Sequence, residues 1–303
     1  MSSKRVNKSK TDSKKADTSP SKRRNAVLEF EKNGEKYKVK LTSEISDELN
    51  LMIGDFKPIT EFIINFPHKM TNINILKIHK FGPRIGFMNV DVYFESESNV
   101  KSESFIFLRG HAVSILVILQ FKNENSKIIS TDKKQRSDLE KYVVLTEQTR
   151  VPIGQSRYLE LPAGMVDNSG DFIGVAAKEL EEETGLKINK KDLICLSEKC
   201  GNKDNSLVYP SPGGCDEGIN FYLCVKNISQ EQREKMLKST YGEYEEGEEI
   251  KLKFYKLEDC LNLPENINDG KFLTSMYMYE KYINEFKKKQ AELEKSFGLE
   301  GLI

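Results

Sequence analysis

No stretch of 18 consecutive apolar residues occurs in the 303-residue chain, which excludes a helix spanning a bilayer. The longest apolar run, Ala112–Gln120, is the size of a strand and is broken by Ser114. The N-terminus lacks the apolar core of a secretory signal, so export is not expected. Cysteine is scarce and follows no pairing motif: Cys195, Cys200, Cys215, Cys224 and Cys260 form an odd set without a C-x-x-C pair. That argues against zinc or a disulfide framework and for reduced thiols in a cytoplasmic protein. Histidine is rarer still. His68, His79 and His111 stand alone in their segments, and a lone imidazole of this kind needs no catalytic role. Internal repeats are absent as well.

What is present suffices for a real core, with 38% hydrophobic and 31% charged residues. A length of this order suggests roughly two domains. The net charge of +0 hides an asymmetry. Residues 1–25 hold nine Lys/Arg against two acids, so the remainder is net acidic by seven charges. An acidic body is not built for a nucleic-acid backbone. The Lys- and Ser-rich tail has too little apolar surface to offset its ordering entropy and is expected to be disordered. Within it, Lys22-Arg23-Arg24 is a solvated cluster before it is a nuclear address or a polyanion patch.

Val27–Phe30 and Tyr37–Leu41 alternate around Asn33-Gly34, a hairpin signal. Apolar residues at helical spacing mark Thr42–Met52 and Ile59–Phe66. Strands are expected at Ile73–His79, Ile85–Phe94, Phe105–Leu108, Ala112–Leu119, Tyr142–Thr146, Tyr158–Leu161, Phe221–Val225 and Ile250–Tyr255. The polar stretch Lys122–Lys141 predicts a surface loop, and helices are expected at Asp171–Thr184 and Gly270–Phe297. Strands and helices without regular alternation indicate an α+β fold.

The chemically informative segment is Leu161–Leu186, a strand end, a glycine-containing turn and a helix loaded with carboxylates. Residues three and four apart share a helix face, so Glu179, Glu182 and Glu183 are neighbours. Ile173, Ala176, Ala177 and Leu180 can supply the packed side. Three clustered glutamates repel unless something positive sits among them, and hard oxygen ligands suit Mg²⁺ or Mn²⁺. Taken alone, the run Glu179-Leu180-Glu181-Glu182-Glu183 reads as an exposed acidic face, which is what most glutamate runs are.

Read in full, the segment resembles the Nudix box, G-x5-E-x7-R-E-U-x-E-E-x-G-U, where U is a bulky aliphatic. Gly164, Glu179, Leu180, Glu182, Glu183, Gly185 and Leu186 fall in register. Gly170 replaces the first glutamate and Lys178 the arginine, with Asp167 or Asp171 as the candidate to replace the missing acid in part. Further pieces are similar to the ADP-ribose and ADP-sugar pyrophosphatase branch, closest in wording to the plant-type ADP-sugar diphosphatases. They are Arg109–Val113, the strand Val144–Arg150, the approach Glu160–Met165, the loop Ser211–Glu217 and the acidic stretch Glu246–Ile250.

The resemblance implies a Nudix α/β/α sandwich with a mixed sheet over residues 109–303. A smaller, mainly β domain over 26–108 would precede it, completing the substrate site and forming a homodimer. It implies metal ligation by the Ala163 carbonyl, Glu179, Glu182 and Glu183, with Mg²⁺ as cofactor and Mn²⁺ as its substitute. Arg150, Met165 and Glu217 would contact the nucleoside diphosphate sugar, and Glu246 or Glu248 would be the catalytic base. The reaction expected is ADP-sugar plus water giving AMP and a sugar phosphate. The alternative is a Nudix module that senses ADP-ribose or another nucleotide without turnover.

Overall fold

The computed structural model describes residues 24–32, 35–43, 56–122, 139–166, 170–201, 206–242 and 249–296. Two sheets organise the chain. The first contains β1 (Arg24–Lys32), β2 (Glu35–Ser43), β3 (Lys69–Phe81), β4 (Arg84–Glu95) and β5 (Lys101–Leu108), in sequential order. Its pairs are antiparallel except β2 with β3, which is parallel. Burial along β4 alternates, with Met88, Val90 and Val92 on one face, as a half-buried strand requires. That face packs against Ile59 and Ile63 of α1 (Lys57–Asn65), with Phe56, Ile73, Ile75 and Leu108 completing the core.

The second sheet runs β10 (Leu193–Cys195), β11 (Ile219–Asn227), β6 (Ala112–Lys122), β7 (Leu139–Arg150), β13 (Ile250–Lys256) and β12 (Thr240–Tyr241). In addition, β8 (Gln155–Glu160) pairs with β7, and β9 (Ala163–Met165) pairs with β6. The sheet is mixed, because β6 and β11 are parallel and the other pairs antiparallel. The apolar run at β6 now has its reason. Val113, Ile115, Val117 and Leu119 enter one core cluster, while Ala112, Leu116 and Ile118 enter the other. A central strand covered on both faces reads as continuous hydrophobicity.

Helices cover both faces. On one lies α2 (Phe172–Thr184), through Val175, Ala176 and Leu180, together with Met236 of α4 (Gln230–Lys238). On the other lie α3 (Leu196–Cys200), α5 (Leu257–Leu261) and α6 (Gly270–Ser296), through Leu196, Leu257, Cys260, Phe272 and Met276. The α/β/α arrangement expected from the resemblance is therefore the one observed. No described helix is long and apolar enough to cross a membrane. All five cysteines are free, and burial pushes the Cys224 and Cys260 thiols up to about 11 and about 12.

Several sequence expectations need correction. The strand β1 begins at Arg24 and so takes in the last two residues read as tail. Thr42 and Ser43, read as the start of a helix, belong to β2, and the rest of that segment lies outside the described residues. Leu139–Lys141, read as loop, extends β7. On α2, Ile173 is 38% exposed and Val175 packs instead. The elements β9, β10, α3, α4 and α5 were not expected at all; most span five residues or fewer and carry too little periodicity to register.

Leu180 is fully buried where α2 meets the sheet. Leu180→Ala should lower stability by about 2–5 kcal/mol through lost burial and the cavity left behind, read as a shift in the urea midpoint.

Candidate active site

A cleft of about 1720 Å³ is lined by residues of both sheets. One wall combines β9 with the exposed flank of α2 and presents Ala163, Gly164, Met165, Glu179, Glu182 and Glu183. The helix is set locally by its ends. Asp171 caps the N-terminus by accepting from the Gly174 N–H at 2.9 Å, and Gly185 closes the C-terminus at φ 71°, a conformation glycine adopts without a Cβ penalty. Asp171 also pairs with Lys190, and that bond, followed by the Gly174 N–H, holds its carboxyl below the usual range. This exposed aspartate serves the helix end.

The strand β9 is pinned to β6 by Ala163–Ser114 and Gly164–Val113 pairing. At Gly164 an added Cβ would stand 1.9 Å from Glu179 Cδ and 2.2 Å from its Oε1. Only glycine lets that carboxylate lie against the strand. Glu183 is 6% exposed, and its Oε2 accepts from the Ala163 N–H at 3.2 Å. Glu182 turns to Lys178 at 2.8 Å. Glu181 pairs with Lys187 at 3.3 Å and does not line the cleft.

The three glutamates thus share a wall but not a point. Among the described residues, no three Asp, Glu, His or Cys side chains stand close enough to hold one ion. Like charges separate, and Lys178 draws Glu182 aside. The donor chemistry nevertheless fits a hard divalent cation, since three carboxylates and Ala163 line one cleft, and Gly164 leaves room for the Glu179 carboxylate beside the strand. Glu246, Glu248 and Asp167 lie outside the described residues.

On a second wall, Arg150 Nε donates to Glu160 Oε1 at 2.6 Å. Glu160 Oε2 accepts from Lys271 Nζ at 2.8 Å, and Lys271 Nζ also reaches Asp269 Oδ1 at 2.9 Å. Asp269 caps α6 by accepting from the Lys271 and Phe272 N–H groups, and it accepts from the Leu161 N–H at 3.0 Å. Burial alone would lower the Lys271 pKa, but the charges of Asp269 and Glu160 outweigh it and the net shift is upward. Sequence reasoning gave no role to Glu160, Asp269 or Lys271. The one available signal was Asp269-Gly270 ahead of a periodic helix, an N-cap pattern.

The third wall belongs to the N-terminal sheet and α1, with Lys57, Pro58, Phe81, Arg84 and Phe87. It is held to the rest by the loop 211–217. Phe107 N–H donates to the Gly214 carbonyl at 2.8 Å, and Asp216 accepts from the Arg109 N–H at 2.7 Å and the Gly110 N–H at 3.0 Å. Glu217 pairs with Arg109 at 3.3 Å, and the Arg109 guanidinium lies 5.5 Å over the Phe87 ring.

A mixed sheet between helices, with a glycine-supported glutamate helix against a short strand, is the frame on which the comparisons with known proteins bear. Residues 124–276 match the NUDIX domain family, and the chain belongs to it. Among individual relatives, it is 35% identical over 213 residues to "Nudix hydrolase 14, chloroplastic" of Arabidopsis thaliana, covering 70% of this chain and 62% of that protein. It is 32% identical over 164 residues to "ADP-ribose pyrophosphatase" of Haemophilus influenzae, covering 51% and 64%. The protein of the same name from Bacillus subtilis is 28% identical over 125 residues, covering 41% and 56%. The chain therefore spans less than two thirds of each relative's length.

Burial raises the Asp216 carboxyl above its ordinary 3.8, against the opposing pull of the Arg109 and Gly110 N–H groups. A raised folded-state value means that ionising Asp216 subtracts stability as pH climbs from the ordinary value through the raised one. Asp216→Asn should therefore gain on the wild type across that window. Urea midpoints taken from about pH 3 to about pH 7 check it, and a pH-independent difference would contradict it.

Proposed function

We propose that the protein is a divalent-cation-dependent hydrolase that splits the pyrophosphate link of ADP-ribose and related ADP-sugars such as ADP-glucose, giving AMP and a sugar phosphate. The observation that carries this reading is the make-up of one cleft wall. Glu179, Glu182 and Glu183 border the same space as Ala163 and Gly164, while Glu181 turns to Lys187. Support for the substrate class comes from the names of the bacterial relatives, both ADP-ribose pyrophosphatases.

A cation such as Mg²⁺ or Mn²⁺, held by Glu179, Glu182, Glu183 and the Ala163 carbonyl, would neutralise charge building on the leaving phosphate and acidify an adjacent water. The chain's own residues position the rest. Arg150 binds a phosphate oxygen by charge-assisted hydrogen bonds, with Glu160 fixing its Nε. Met165 and Glu217 border the bound ADP-sugar. Glu246 or Glu248 accepts the proton of the attacking water. Residues 26–108 complete the substrate site, a reading supported by the cleft wall of Lys57, Phe81, Arg84 and Phe87, and they form the homodimer contact. Five free thiols suit a cytoplasmic location.

A second reading, nucleotide binding without turnover, is favoured by Gly170 and by the Lys178–Glu182 pair. Resolving products chromatographically after incubation with a nucleoside-diphosphate panel and Mg²⁺ or Mn²⁺ separates the two. ADP-ribose or an ADP-hexose should outrank nucleoside triphosphates, with AMP released. Binding without AMP would favour the second reading, and preferred conversion of a triphosphate to a monophosphate would reject the substrate class.

Single substitutions test the wall itself. Glu179→Gln, Glu182→Gln and Glu183→Gln should each lower turnover by roughly two orders of magnitude, about 3 kcal/mol in the barrier. Glu181→Gln should cost little, since its exposed ion pair with Lys187 contributes at most about 1 kcal/mol. Gly164→Ala should resemble Glu179→Gln, because its Cβ displaces that carboxylate. Equal and mild effects at all four glutamates would reject the metal-site reading.

A further inference from the structure

We infer that Lys271 is a second phosphate-binding cation of the cleft, set beside Arg150 by a carboxylate the two share. The inference rests on the hydrolase reading for the identity of the ligand, a diphosphate, but its geometry stands by itself. Glu160 is 2% exposed, and its two oxygens are divided between the cations, Oε1 to Arg150 Nε at 2.6 Å and Oε2 to Lys271 Nζ at 2.8 Å. One carboxylate thereby anchors two positive groups side by side, and a diphosphate has anionic oxygens to offer to both.

Lys271 is also held from behind. Asp269 takes its Nζ at 2.9 Å, and the same aspartate is fixed by the Leu161 and Phe272 N–H groups. An ammonium carries three protons. Glu160 and Asp269 accept two, and among the described residues no acceptor is recorded for the third. The side chain is 20% exposed and lines the cleft. The Glu160 and Asp269 carboxylates hold Arg150 and Lys271 through charge-assisted hydrogen bonds, so the two cations are ordered before any ligand arrives. Such preorganisation gives a phosphate oxygen a hydrogen bond with little reorganisation.

A purely structural role would also place Lys271 here, as a clasp between α6 and the Glu160–Ala163 segment, and the two roles predict different measurements. Lys271→Met and Lys271→Arg are compared with the wild type for KM and kcat on ADP-ribose with Mg²⁺. Binding of non-cleavable α,β-methylene ADP-ribose is followed by calorimetry, and melting temperature is recorded. A phosphate contact predicts that Lys271→Met raises both KM and Kd by about tenfold or more, while Lys271→Arg recovers most of the loss. KM and Kd within twofold of the wild type, with the damage confined to melting temperature or kcat, would overturn the proposal. Lys271→Gln keeps a donor for both carboxylates and takes the place of Lys271→Met where that variant does not fold. A wild type that leaves ADP-ribose intact would refute the hydrolase reading, not this one. Calorimetry with the methylene analogue and with inorganic pyrophosphate then decides: weaker binding by the variant supports the inference, and equal binding or none by the wild type rejects it.

Discussion

The site depends on one close approach. Gly164 carries no side chain, and the Glu179 carboxylate lies where a Cβ would stand. That contact lets α2 settle against β9 with its acidic flank turned toward the cleft, while Val175, Ala176 and Leu180 stay on the sheet. Burying a carboxylate beside a strand is costly unless hydrogen bonds answer it. Glu183 meets that condition through the Ala163 N–H. The strand and helix therefore hold each other through polar contacts at the cleft and apolar ones beneath it.

Charge is managed differently on the facing wall. Arg150, Glu160, Lys271 and Asp269 alternate in sign and share their hydrogen bonds, so each buried charge has a partner of opposite sign. Removing one member of such a set strands its neighbours, which costs more than the bond itself. The α6 cap is part of the same arrangement, since Asp269 serves the helix terminus and the ammonium at once. Helix termination and ligand-facing charge are here the same few atoms.

Much of this was legible in the residues. The period-two burial of β4 and the two-sided burial of β6 follow directly from their apolar patterns. The flank shared by Glu179, Glu182 and Glu183 follows from helical spacing. What spacing could not convey was where each carboxylate points. Lys178 draws Glu182 sideways through an i,i+4 pair, a choice made by local electrostatics and not by periodicity. The helix α4 was missed because Met236 is its one buried residue, although the Ser229/Gln232 capping box at its start was readable. Glu160 and Lys271 were invisible as a pair, since 111 positions separate them in the chain. Their partnership arises only when β8 and α6 meet.

That separation has a consequence for how the molecule comes into being. The contacts that close the cleft are far apart along the chain: Arg109 with Asp216 at 107 positions, and Glu160 with Lys271 at 111. The central β6–β11 pairing is equally distant, joining Ala112 to Ile219. Topologies dominated by such distant pairings fold slowly, because chain closure must precede any contact energy. A ribosome adding about 5–20 residues per second leaves β6, apolar on both faces, waiting several seconds for the strand that covers its edge. The first turn of α6 emerges later still. The cleft is thus among the last features of the molecule to form, since β11 and the first turn of α6 must both be made before its walls can close.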